Sequence, residues 1–291
     1  MPLLRHQGVK DFEHGIPAAV DFRQCASCGT LAQDPRPSRE QLATFYPSDY
    51  RPHASKGVVA ALKGLQATLL ARKFRPALPG KNDRILELGC ATGAFLKALR
   101  KMGYQRLEGV DRSPALGESF RGTAIRYHAS DLESGFGVDG RFSAIFMNYV
   151  IEHFADPEAI LRRCRERLEP GGRVAMLTPN ADSLGSSFWG RYWSGLHAPR
   201  HTMIFTPRAL ELLAKKTGFA GADISFINDP AGWALSFQNL IQSRRRAAPR
   251  GGTAWYSLAA MPFFYPFALA ERAAGKGSAM LAVFRPTPRD R

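Results

Sequence analysis

Between residues 84 and 228 the chain alternates short apolar runs with segments whose apolar residues recur at helical spacing. Arg84-Ile-Leu-Glu-Leu predicts a buried strand, and Gly93-Ala-Phe-Leu-Lys-Ala-Leu-Arg-Lys-Met predicts a helix stopped by Gly103. Arg106-Leu-Glu-Gly-Val-Asp predicts the next strand, completing a βαβ unit of a parallel sheet. Ala124-Ile-Arg-Tyr-His, Phe142-Ser-Ala-Ile-Phe-Met-Asn and Arg173-Val-Ala-Met-Leu-Thr predict further strands. A helix from Pro157 to Leu168 precedes the last of these, with Pro170-Gly171-Gly172 as the stop and turn between them. Ile160, Leu161, Cys164 and Leu168 share one face of that helix, which makes Cys164 a small core residue rather than a nucleophile. Thr206-Pro207 predicts an N-cap and first turn for a helix that reaches Lys216 and ends at Gly218. Residues 222–227 and 279–284 predict two closing strands, an antiparallel pair, with a long insertion between them.

The pattern divides the chain into five segments. Residues 1–52 form an N-terminal leader with a single Cys-x-x-Cys, 53–82 a helical linker and 83–228 an α/β core with helices on both faces of its sheet. Residues 229–278 are a basic and aromatic insertion, and 279–291 are the final strand and tail.

With 291 residues and 45% apolar content, the chain can fill a sizeable core. Its four cysteines, at 25, 28, 90 and 164, are too few and too scattered for a secreted disulfide framework, and no export signal opens the sequence. A cytoplasmic protein is expected. The formal net charge of +15 would suit an acidic partner, but it is unevenly spread. Residues 185–291 hold 14 Lys and Arg against 5 Asp and Glu, with Arg244, Arg245, Arg246 and Arg250 clustered. That cluster is either a solubilising surface or a functional patch.

The chemistry concentrates where the first core strand turns into the first helix. Glu87-Leu-Gly89-Cys-Ala-Thr-Gly93 lies where an open α/β sheet exposes backbone NH groups to a ligand. Asp111, ending the second strand, can accept hydrogen bonds from both hydroxyls of a ribose. Taken singly, the glycines could serve turn and packing needs, and Asp111 could cap the turn at Ser113-Pro114. Together they predict a nucleoside site. The dinucleotide fingerprint G-x-G-x-x-G is absent because Ala91 occupies its middle place, which argues against NAD.

From Arg84 to Phe219 the sequence resembles the class I S-adenosylmethionine-dependent methyltransferases. Ile85-Leu-Glu-Leu-Gly-Cys-Ala-Thr-Gly-Ala-Phe resembles the family's first motif, Gly109-Val-Asp-Arg-Ser its second and Leu168-Glu-Pro-Gly-Gly-Arg-Val its late motif. The resemblance implies a Rossmann-like, seven-stranded, mostly parallel sheet, and S-adenosylmethionine as cofactor with S-adenosylhomocysteine as product. It places Glu87 and the Gly89, Cys90, Ala91 and Gly93 backbone around the methionine moiety, with Asp111 and Arg112 at the ribose. Asp131 and Leu132, after Ser130, would lie beside the adenine, and Asn148 near the sulfonium. Ala91 replaces the commoner glycine, a change expected to tighten the loop without abolishing it.

Val150-Ile-Glu-His-Phe-Ala-Asp-Pro and Leu196-His-Ala-Pro-Arg-His resemble a bacterial small-molecule subgroup related to ubiquinone-type O-methyltransferases. Cys25-Ala-Ser-Cys-Gly resembles that subgroup's leader, where such a pair is half of a four-cysteine zinc site; here the other pair is missing. A structural zinc needs four ligands, so His6, His14 or His53 would have to complete it. The expectation is two thiols in a turn and no metal ligand set.

A methyl transfer needs alignment of two ligands and, for a hydroxyl acceptor, a base. His153, after the Asn148 strand, ranks first for that role, followed by His201 and His197 in the loop after the fifth core strand. His153 could instead cap the Asp156-Pro157 helix with Glu152 as its partner; a divalent metal on Glu152 and His153, as in some quinone methyltransferases, is a minor branch. Phe188, Trp189, Tyr192 and Trp193 are either core or, the favoured reading, the wall of an acceptor pocket. Residues 253–270 carry no charge, and Pro262 and Pro266 should break a membrane-spanning helix there. That segment is a lid, a dimer surface or a patch lying on an anionic leaflet. The expected activity is methyl transfer to a small, hydrophobic or membrane-derived acceptor, with O-methylation favoured, in the cytoplasm or peripherally at the inner membrane face. A cofactor-binding protein without turnover and a nucleic-acid methyltransferase are the alternatives, and an Asn-Pro-Pro-Tyr type motif for the latter is missing after Asn148. No nucleic-acid partner is expected, and nothing in the sequence speaks to oligomeric state.

Overall fold

Where the alternation predicted strands and helices, a seven-stranded sheet forms with helices on both faces. The computed structural model describes residues 3–46, 57–244 and 253–287. The elements begin with β1 (Leu3–Lys10), β2 (Ala19–Gln24), β3 (Leu31–Asp34), α1 (Arg39–Thr44) and α2 (Gly57–Lys73). The core follows as β4 (Arg84–Leu88), α3 (Ala94–Lys101), β5 (Arg106–Asp111), β6 (Arg126–Ala129), β7 (Phe142–Asn148), α4 (Pro157–Glu166) and β8 (Leu168–Pro179). Then come α5 (Leu184–Trp189), β9 (Met203–Ile204), α6 (Pro207–Lys216), β10 (Phe219–Ile227), α7 (Pro230–Ser243), α8 (Trp255–Ala273) and β11 (Ala279–Pro286).

The main sheet runs β10-β11-β8-β7-β4-β5-β6. Strands β4 to β8 pair in parallel, whereas β11 lies antiparallel between β8 and β10. The order reverses beside β4, which puts the ligand crevice of such sheets at the carboxyl ends of β4, β5 and β7. Because both sheet faces are covered, β4 and β7 read as near-continuous apolar runs. On one face Ile160, Leu161, Leu210 and Ala214 of α4 and α6 pack on Leu86, Met147 and Met176. On the other, Phe74, Phe95 and Phe146 meet with ring centroids 5.2–5.3 Å apart.

Two predicted boundaries shift. Between Phe142↔Leu168 and Ala144↔Arg173 the β7–β8 register jumps, so residues 169–172 loop out within β8. The Pro-Gly-Gly turn is therefore a bulge inside a strand that starts at Leu168. Strand β6 starts at Arg126, two residues late, because Ala124 sits at φ +51°, outside extended geometry.

The leader builds a second, antiparallel sheet in the order β1-β2-β3-β9. Its fourth strand is borrowed from the core: Leu31 pairs with Ile204 and Ala32 with Met203. Phe22, Leu31, Trp193, Leu196 and Ile204 give this sheet its own core.

The insertion forms an α7–α8 hairpin. Contrary to expectation, α8 runs through both Pro262 and Pro266. Each proline deprives the carbonyl four residues back of its donor, and those carbonyls belong to Leu258 and Pro262 on the exposed side, where water can serve them. Among the described residues no helix is long and apolar enough to cross a membrane.

Candidate active site

The β4–α3 turn is built by close approach. Gly89 and Gly93 sit at φ +67° and +74°; a Cβ on Gly89 would lie 2.5 Å from a Val150 methyl, and one on Gly93 2.4 Å from the Phe120 ring. Ala91 also sits in the left-handed region, at φ +47°. Alanine in place of the family's glycine therefore puts strain into the loop rather than merely tightening it.

Asp111 Oδ2 accepts from the Ala91 amide at 2.9 Å and Oδ1 from the Arg112 amide at 2.7 Å. It does not cap the following turn, whose N-cap is Ser113. A carboxylate has about four acceptor sites, so two are left for ribose hydroxyls.

Beside it, Glu87 is 3% exposed, and its Oε1 accepts from Asn148 Nδ2 at 2.7 Å. Glu87 Oε2 and Asn148 Oδ1 have no hydrogen-bond partner. Burial pushes the Glu87 carboxyl up to about 8, against the Asn148 bond and with help from the Asp111 charge. A buried carboxyl oxygen and a buried amide oxygen without partners fit a cationic ligand that brings its own donors and favours the carboxylate form, and S-adenosylmethionine carries a sulfonium and an ammonium. Cys90 is buried and burial raises its thiol, so it is no nucleophile.

Asp131, expected beside the adenine, is ion-paired with Arg39 and accepts from the Glu133 amide at 3.0 Å. Leu132 is part of the apolar core, which leaves its backbone for any adenine contact.

His153 ends a 3₁₀ turn just after β7. Its Nδ1 lies 2.8 Å from the Tyr46 hydroxyl and 3.2 Å from the Arg200 carbonyl oxygen. A carbonyl only accepts, so Nδ1 carries the proton and Nε2 is the basic atom. Burial, followed by electrostatic interaction with His197 and Arg200, pulls His153 down to about 3 and keeps the ring neutral. The N-cap of α4 is Asp156, which accepts from the Ala159 amide at 3.0 Å, so capping is not the task of His153.

His201 donates from Nδ1 to the Gly195 carbonyl at 2.8 Å, and its ring is 4.6 Å from that of His153. Burial lowers it well below its ordinary range. His197 joins the group with ring centroids 6.4 Å from His153 and 5.0 Å from His201. Its nitrogens are engaged by Glu13 and Arg200, each at 3.4 Å, which makes it a spacer between charges.

Beneath them lies Glu152, whose Oε2 accepts from the Thr178 hydroxyl at 3.0 Å and whose Oε1 has no hydrogen-bond partner. Burial pushes it up to about 8. Ligand atoms of Glu152, His153 and His201 lie within 4.8 Å of one another, close enough to share a divalent cation that displaced the Glu152 proton. The sequence supplied the first two of these residues but not their meeting with His201.

Four contributors had no sequence signal as site residues. Tyr46 touches His153 through its hydroxyl, and its ring lies 5.1 Å from the Arg112 guanidinium, so it links the histidine group to the end of β5. Arg39 fastens α1, the element before it, to Asp131. Gln33 Nε2 donates to the Pro199 and His201 carbonyls at 2.7 Å each, fixing the histidine loop to β3. Arg200, 1% exposed, pairs with Asp11 at 3.2 Å. Each lies in, or is bonded to, the leader, where aperiodic polar sequence gives no hint of a long-range contact.

In the aromatic loop Trp189 and Tyr192 are packing rather than pocket wall, whereas Phe188 is exposed. Trp189 lies 5.9 Å from both Trp233 and Phe264, and Tyr192 5.7 Å from Phe12. Trp193 lines a small cleft, together with Asp11, Glu13, His197 and Asn239. Cys25 and Cys28 are free thiols beside Ser27 and Thr30; among the described residues no His, Asp or Glu joins them in a group of three. His53, Arg245, Arg246 and Arg250 lie outside the described residues.

Residues 62–223 match a family model described as a methyltransferase domain. The ubiquinone biosynthesis O-methyltransferase of Cereibacter sphaeroides is 29% identical over 178 residues, which cover 57% of this chain and 72% of that protein. Among solved structures, an S-adenosylmethionine-dependent methyltransferase from Archaeoglobus fulgidus superposes with a TM-score of 0.51 at 18% identity, covering 76% of this chain and 94% of that one. Haemonchus contortus phosphoethanolamine N-methyltransferase 2, in complex with phosphomonomethylethanolamine and S-adenosylhomocysteine, does so at 0.50 and 20% identity, covering 77% and 53%. The likeness to both structures is one of fold.

Proposed function

We propose an acceptor chemistry from one premise: the chain belongs to the methyltransferase domain family and is an S-adenosylmethionine-dependent methyltransferase. Its acceptor is a small hydrophobic molecule, drawn from a membrane, whose hydroxyl oxygen takes the methyl group. The observation that carries this reading is the neutral, half-buried His153, with Nδ1–H fixed by two oxygens and Nε2 left as the basic atom. Support comes from the 29% identical relatives named as ubiquinone biosynthesis O-methyltransferases.

Bound S-adenosylmethionine supplies an electrophilic methyl group on a sulfonium. Glu87 and Asn148 hold its cationic methionine end, the Gly89–Gly93 amides line the turn, and Asp111 takes the ribose hydroxyls. Arg112, Asp131 and Leu132 lie on the adenosine side. His153 accepts the hydroxyl proton. A base held near 3 is weak, but a hydroxyl becomes a strong acid as its oxygen gains a methyl group, so the proton leaves late in the transfer. His201 and His197 position that ring, and the protein works in the cytoplasm and peripherally at the inner membrane face.

Calorimetric titration with S-adenosylmethionine, followed by turnover on phenols with and without alkyl tails, tests this. Asp111→Ala should abolish micromolar binding, whereas His153→Ala should keep binding and slow transfer at least about a hundredfold. Unchanged affinity in the first variant displaces the site. An unslowed second variant removes His153 as the base.

A further inference from the structure

The α7–α8 hairpin is apolar on both of its sides. Its inner side combines the cluster of Trp233, Ala234, Phe264 and Ala268 with buried polar residues, among them Ser236, Gln238, Gln242, Ser257 and Glu271. Glu271 accepts from the Gly185 amide at 2.8 Å and from Trp233 Nε1 at 2.9 Å, and Gln238 Oε1 accepts from the Ser257 hydroxyl at 2.6 Å. Its outer side is apolar, with Trp255 79% exposed, Leu258 58%, Phe263 68% and Phe267 47%. Phe188, 70% exposed and 5.5 Å from Trp233, extends the patch onto α5. A surface helix in water turns a polar face outward instead.

We infer that the outer face of α8 lies in the plane of an anionic lipid leaflet, with its apolar side chains below the headgroups. Charge selects this occupant. Exposed cations stand at both ends of the hairpin, Arg244 beside the start of α8 and Arg272 at its end, and the only acid of α8, Glu271, is buried. A helix of 19 residues is about 28 Å long, so these cations are spaced to meet two separate headgroups while the helix lies flat. Two copies pairing through this face about a two-fold axis would bring cations against cations in either orientation. The inference deepens the reading of a membrane-derived acceptor and rests on it for the choice of membrane, but not for any step of the chemistry.

Flotation of the purified protein with vesicles of phosphatidylglycerol and phosphatidylcholine, against phosphatidylcholine alone, tests the docking. Recovery with the anionic vesicles is expected, falling with added salt. Leu258→Ser combined with Phe263→Ser should lower recovery at least about tenfold while cofactor affinity stays the same. Arg272→Gln should weaken binding to the anionic vesicles only. Absence of recovery on either vesicle overturns the inference. So does a doubled mass in light scattering that the double variant returns to the monomer, because the face would then belong to a second copy. Vesicle binding without turnover on any acceptor would sink the reaction and leave the docking intact; turnover without vesicle binding would do the opposite.

Discussion

The Tyr46 hydroxyl lies 2.8 Å from His153 Nδ1, joining residues 107 positions apart across the mouth of the cleft. The leader thereby reaches the group assigned as base. Tyr46→Phe should lower kcat by about three- to tenfold, the worth of one neutral hydrogen bond, because the Arg200 carbonyl still holds the same tautomer. Affinity for S-adenosylmethionine should fall less than kcat, and calorimetry beside single-turnover rates separates the two.

Cofactor binding should release a proton. Glu87 is held near 8 in the free protein, and a sulfonium or ammonium favours its carboxylate form. Affinity should therefore rise with pH up to about 8, by as much as about tenfold per unit, and then level off. Glu87→Gln should bind more weakly with a flat profile; titrations in buffers of different ionisation enthalpy count the proton.

Stability should show the opposing signatures of the buried acids and imidazoles. Glu87 and Glu152 have raised values, so their contribution is complete below about 4.5 and is lost as pH rises through about 8. His153 and His201 have lowered values, so theirs is complete above about 6.5 and is lost as pH falls. The two nearly cancel between those limits, and stability declines on either side. Glu152→Gln, which keeps an acceptor for Thr178 without an ionisable group, should lessen the alkaline decline in a melting profile at pH 6 to 9.

Ala91→Gly should stabilise the protein by up to about 1.5 kcal/mol. Relief of a left-handed alanine amounts to about 1–2 kcal/mol, and the greater freedom of glycine in the unfolded chain offsets about 0.5–1 kcal/mol of it. Denaturant unfolding measures the difference, and a loss of stability would show that the loop does not carry strain at φ +47°.

The main sheet and the turn that faces Asp111 were legible because their signals are local. A buried run such as Ile85 to Leu88, a glycine turn and Asp111 at a strand end follow one another within thirty residues. The acceptor side was half legible. His153, His197 and His201 stand out by residue type, but their meeting depends on Thr202 donating to the Phe154 carbonyl at 2.7 Å and on Gln33 gripping the loop. Contacts of that span leave no periodicity to read. The aromatic loop misled because Trp189 has the composition of a pocket wall, and only its neighbours Trp233 and Phe264 reveal it as packing. In α8, exposure of the face bearing the prolines outweighed their helix-breaking tendency.

The place of β11 sets an order of events during synthesis. It is the last described strand, yet it sits between β8 and β10 rather than at an edge. Until residues 279–286 have left the ribosome, β10 has no neighbour in the sheet and β8 shows an unpaired flank. From the emergence of β8 to that of β11, a nascent chain thus carries a ready template for foreign strands. Protection of that flank, by a chaperone or by speed in the closing residues, is what yield in expression would report.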